Sequence, residues 1–118
     1  MIKLKIKDEA TRLVPEESIA LIKPWGYGSK VVILEDLQGL FEALPVTHIV
    51  RNAPWSIMQD INQNLFERVS KFTYIRKVSI LDYDLNFIYT DLGVLVKGKY
   101  NAPFQDNFGW GVLNGMLN

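Results

Sequence analysis

The chain has 118 residues, 48% of them apolar, with 13 Lys and Arg against 13 Asp and Glu and no cysteine. That is enough for one domain with its own core and too little for two. Zero formal charge excludes a strong overall cationic field, so any nucleic-acid site must be local, and the missing thiols exclude a disulfide framework, thiolate zinc sites and a cysteine nucleophile.

No apolar run approaches the roughly 20 residues of a membrane span, and the opening MIKLKIKDEA lacks the apolar core of a signal peptide. A soluble, cytoplasmic protein is the expectation. Ile2, Leu4 and Ile6 alternate with Lys3, Lys5 and Lys7, the period-two pattern of a strand with one wet face. After the polar DEAT turn, Arg12 to Val14 begins a second extended segment that breaks at Pro15. Ile19 to Ile22 and Lys30 to Leu34 are short apolar runs on either side of PWGYGS, which reads as an antiparallel hairpin.

Leu37, Leu40, Phe41 and Leu44 follow helical spacing, so a short helix is expected between Glu35 and Pro45. Val46 to Val50 returns to strand composition, and Asn52 is placed to cap a helix that opens near Ala53 and Pro54. Ile57, Ile61, Leu65 and Val69 recur every four residues opposite a polar side, which predicts an amphipathic helix running to Val69. Strands are expected again over Lys71 to Leu81, Asn86 to Tyr89, Val94 to Val96 and Tyr100 to Phe104, with Lys97-Gly98-Lys99 as a hairpin turn. The fold class is therefore mainly β with one amphipathic helix, a single domain over 1–118 with a tail, 106–118, expected to be less ordered.

Most candidate chemistry reads as structure. Gly26-Tyr27-Gly28-Ser29 has a strand behind it, not the helix N-terminus that a phosphate-cradling loop needs, so it is a hairpin turn. His48, the only histidine, sits in an apolar strand, and Asp82 with Asp84 brings no third ligand; a small hydrolase built on either is the weakest reading. Trp25, Trp55 and Trp110 could stack on a base or a partner, but packing is the commoner use, and Trp55 is expected in the core. No enzyme activity, cofactor or metal is expected.

The stretch Phe72 to Asp82, FTYIRKVSILD, is unusual in placing Arg76 and Lys77 between two apolar runs. It resembles the Phe-x-Arg-Ile-His-Arg-Ser-Tyr-Ile-Val-Asn run of the LytTR DNA-binding domains of bacterial response regulators. Glu17 to Ile22 and Gly26 to Ser29 are similar to that family's first strand and turn, and Trp55 to Val69 to its helix. The segment from Glu35 to Pro45 looks like an insertion, and Val78, Asp82 and Asp106 depart from the family's pattern. The resemblance implies LytTR-like antiparallel sheets and a transcriptional regulator, here without a receiver domain, that contacts DNA through loops. By position it assigns Ser29, Lys30, Arg76, Lys77, Gln105 and Asn107 to the contact. Lysines would anchor phosphates, and the planar groups of Arg76, Gln105 and Asn107 would reach base edges. A homodimer on repeated half-sites would raise a modest affinity. The alternative is a LytTR-derived protein-interaction module that has lost DNA binding and pairs through the Trp110 tail or a sheet edge.

Overall fold

A computed structural model describes residues 1–35, 44–69, 72–83, 87–91, 93–97 and 110–115. These form antiparallel sheets and one short helix. The chain opens with a two-stranded ribbon, β1 (Ile2–Lys5) and β2 (Thr11–Val14). A five-stranded sheet has the order β5-β4-β3-β7-β6, from β3 (Ile19–Trp25), β4 (Gly28–Glu35), β5 (Leu44–Val50), β6 (Phe66–Arg68) and β7 (Tyr74–Arg76). A four-stranded sheet has the order β11-β10-β9-β8, from β8 (Ile80–Tyr83), β9 (Phe87–Thr90), β10 (Gly93–Lys97) and β11 (Trp110–Gly115).

The central hairpin β3–β4 is buried on both faces, which explains why its two runs are apolar throughout and do not alternate. A register shift between Ile19 and Leu21 turns Ala20 and Leu21 to one side, leaving Ile19 and Ile22 on the other. Ile19, Ile22, Val31 and Ile33 meet Ile2, Leu4, Ile6 and Val14 of the opening ribbon together with Ile57, Met58 and Ile61. Ala20, Leu21 and Val32 pack with Val69, Ile75 and Ile88, flanked by Leu34 and Ile80. Two small cores therefore lie on opposite faces of one hairpin.

The helix is much shorter than its pattern suggests. α1 spans only Pro54–Gln59, with Pro54 in its first turn; a 3-10 turn follows at Gln63–Leu65, and Phe66–Arg68 joins the sheet beside β7. A spacing of four is an even number, so it suits a strand as well as a helix, and Ile61 and Val69 serve different cores. The Asn62 side chain competes for the backbone there: its Oδ1 accepts from the Asn64 amide at 3.1 Å and opens the 3-10 turn. Trp55, expected in the core, is instead exposed on α1. Asn52 does not cap α1, whose N-cap is Ala53. Its side chain serves β1, accepting from Lys5 N at 2.8 Å and donating to Lys3 O at 3.2 Å.

Elsewhere the opening ribbon, the β3–β4 hairpin, Val46 to Val50 and Phe87 to Tyr89 are strand as expected, while the run from Lys71 is split by a 3-10 turn at Lys77–Ser79 between β7 and β8. Trp110–Gly115, in the tail, pairs with β10. The helix expected within Glu35 to Pro45 falls largely on residues 36–43, outside the described residues; Leu44 and Pro45 already belong to β5. The Gly98 turn and the Tyr100 to Phe104 strand also lie outside them. No helix among the described residues is long and apolar enough to cross a membrane.

The β3–β4 turn is Gly26-Tyr27, with Gly26 at φ 56° in the first loop position, where a two-residue hairpin of the II′ kind needs glycine. Gly28 is required for another reason, because a Cβ there would stand 2.0 Å from the Val50 carbonyl oxygen. Gly28→Ala should therefore cost about 3 kcal/mol or more in urea unfolding, since neither backbone can yield. Gly26→Ala, which meets no atom within 4 Å, should cost only the ~1–2 kcal/mol of a left-handed backbone. Equal costs would contradict the close approach.

Candidate nucleic-acid interface

Arg76 ends β7 where that strand pairs with β6, and only 9% of it is exposed. Its Nε donates to Ile19 O at 2.8 Å, its Nη2 donates to Glu16 O, and its guanidinium lies 4.8 Å from the centre of the Phe66 ring. A buried guanidinium is tolerated only when its donors are met, and here two carbonyls at the entry to β3 meet them. Glu16 extends the junction by accepting from the Asn62 amide through Oε1 at 2.6 Å. The arginine assigned to base edges is thus an internal clamp joining β7, the start of β3 and the segment after α1.

Ser29 is likewise fully buried, its hydroxyl donating to Asn52 O at 2.7 Å, so it is not a surface contact. Lys77 is exposed, next to Val78 at 82% and near Leu81 at 69%. Gln105 and Asn107 lie outside the described residues. Lys30 and Lys77 do not share an edge. Lys30 pairs with Lys23 towards the far end of β3, whereas Arg76 binds at Ile19, four residues and ~13 Å away along the strand.

What gathers instead is the end of the β3–β4 hairpin. Lys23 and Lys30 are direct cross-strand partners, and Trp25, two residues on from Lys23, shares their face. The Lys30 ammonium sits 3.6 Å from the centre of the Trp25 ring, a distance at which the ring quadrupole attracts a cation. Burial first, and the charge of Lys30 second, hold the Lys23 ammonium below the ordinary lysine range. Like charges placed directly opposite on a sheet are destabilising, so this pair costs the fold something unless an anion lies between them. Tyr27 at the tip is wholly exposed and Trp25 about half exposed. Trp25 and Tyr27 also line an open groove of about 520 Å³ with Lys7, Asp8, Ile49 and Arg51.

The hairpin end is held firmly. Gly28 packs on the Val50–Arg51 backbone, Ile6 pairs with Val50, and Arg51 N donates to Lys5 O at 2.8 Å. The sequence points to Lys30 as a contact and to Trp25 as a possible stacking residue here, but not to Lys23 or Tyr27. The signal available was cross-strand arithmetic: a two-residue turn at Gly26-Tyr27 sets Trp25 opposite Gly28 and Lys23 opposite Lys30.

A second polar cluster links three strands. Glu35 Oε1 accepts from Arg12 Nη1 at 2.6 Å and from His48 Nε2 at 2.8 Å, and Glu9 pairs with Arg12 at 3.2 Å. It joins β2 to β4 and β5 and gives His48 a structural role at the sheet edge. Asp82 is exposed, and Asp84 lies outside the described residues. No family model, curated protein or solved structure matches the chain.

The two kinds of cation should respond oppositely to substitution. Arg76→Ala should lower unfolding free energy by ~2–3 kcal/mol, because it strands two carbonyls, whereas Lys77→Ala should stay within ~0.5 kcal/mol. Lys23→Met should raise stability by roughly 0.2–1 kcal/mol by removing a facing like charge. Because the folded state depresses the Lys23 pKa, the unfolded chain holds that proton more tightly. Stability should therefore rise with pH between the folded value and the ordinary 10.5. Lys23→Met should flatten that rise; a steeper one would contradict the pairing.

Proposed function

We propose that this domain is a DNA-binding transcriptional regulator of the LytTR type, meeting DNA with strand ends and loops and using the β3–β4 hairpin end as its principal contact. The observation that carries the reading is the facing pair Lys23 and Lys30 packed on Trp25 beside the exposed Tyr27. Two lysines opposed on a sheet gain from a phosphate between them, and a two-stranded ribbon fits the major groove of duplex DNA. Lys7 and Arg51, with Asp8 between them in the lining, border a groove at the same turn, so cations outnumber carboxylates at this end although the whole chain is neutral. The reading also draws on the sequence resemblance of Phe72 to Asp82 to the LytTR run, although the helix which that resemblance places over Trp55 to Val69 spans only Pro54–Gln59. A lone domain with so few phosphate contacts binds modestly, and two copies on repeated half-sites would bind more tightly.

A second reading is favoured by a different surface. Val78 and Leu81 are exposed apolar residues beside Lys77, which suits a protein-interaction module better than a DNA contact.

Fluorescence anisotropy with labelled genomic duplex DNA at low salt separates the two. DNA binding should appear with a log–log salt slope of about −2 to −4, since each neutralised phosphate contributes about 0.9. Lys30→Ala and Arg51→Ala should each weaken it several-fold, while Lys77→Ala should not. An absence of binding at low salt, together with capture of a protein partner that Val78→Ser and Leu81→Ser abolish, would favour the interaction module.

A further inference from the structure

The hairpin end has a feature that phosphate contacts leave unused. Tyr27 stands at the tip of a two-residue turn with 106% relative exposure, so it is not a packing residue. Lys23 and Lys30 face each other on the hairpin that carries it, and Lys7 and Arg51 line a groove together with it. An aromatic ring among cations suits a polynucleotide strand, which offers bases and phosphates together.

Bases in a duplex are already stacked and offer only their edges in the grooves, whereas an unpaired base has a free face for an aromatic ring. Trp25 extends the platform, since its ring is held in place by the Lys30 ammonium. Asp8, at φ 62°, puts a carboxylate on the groove wall, which repels a phosphate there and steers the backbone towards Arg51. The turn backbone that carries Tyr27 is fixed by the Gly28 contact with Val50.

We infer that the hairpin end binds an unpaired stretch of DNA, with a base stacked on Tyr27 and the adjoining phosphates on Lys30 and Arg51. This rests on the DNA-binding reading and narrows it from duplex to single strand.

The test compares the full chain against a labelled single strand of about 12 nucleotides, within the usual site size of such binders, and against the same sequence as a duplex, both at low salt. The single strand should bind at least tenfold tighter. Tyr27→Ala should weaken single-strand binding by roughly tenfold, as expected for one lost base stack, and Tyr27→Phe should restore it; neither should alter duplex binding. Because Tyr27 is wholly exposed, unfolding midpoints of both variants should match the parent. Duplex binding as tight as single-strand binding, with Tyr27→Ala silent, overturns the inference and leaves the DNA reading standing. Failure to bind either form overturns both. Tighter binding of an RNA strand of the same sequence overturns the assignment to DNA.

Discussion

The β3–β4 hairpin is buried on both faces, and the rest of the molecule is arranged around that constraint. Ile19, Leu21, Ile22, Val31, Val32 and Ile33 are all essentially inaccessible. Burying each aliphatic side chain contributes roughly 1.5–3 kcal/mol, against a net stability of about 5–15 kcal/mol for an ordinary domain. Neither face can be left open. The β1–β2 ribbon and α1 cover one side, and Val69, Ile80 and Ile88 cover the other, beside Ile75 of the neighbouring strand β7. What extends past both covers is the turn, and it is held there by close backbone contact and not by bulk.

Charge in this protein follows burial. Arg76 is drawn inside because the entry to β3 exposes carbonyls that need donors, and a guanidinium supplies several in a fixed plane. Lys23 and Lys30 stay near the surface, where they face each other and only the Trp25 ring offsets the charge of Lys30. The first arrangement stabilises the fold; the second destabilises it slightly, and the proposed anion contact rests on it. That contrast is the physical basis for assigning structure to one cation and recognition to the other pair.

Most strands were legible from the chain because their signals are local. Lys3 and Lys5 alternate with apolar residues in β1, and the glycines of PWGYGS mark the central turn. The helix was misread because Ile57, Ile61, Leu65 and Val69 repeat at a spacing that both periodicities accept; only pairing of Phe66–Arg68 with β7 decides between them. The role of Arg76 was hidden for a different reason. Its partners, Glu16 and Ile19, are 60 and 57 residues away in sequence, and no local pattern announces a bond to a distant carbonyl. Trp25 reads first as a packing residue because aromatic residues most often pack inward, whereas it is about half exposed and Tyr27 wholly so.

Mapping amide chemical shifts during a DNA titration tests most directly whether the hairpin end is the recognition surface. Perturbations should concentrate on Lys7–Asp8, Lys23–Lys30 and Ile49–Arg51, with Arg76 to Leu81 nearly silent. Shifts centred on Arg76 to Leu81 with a silent hairpin would contradict it.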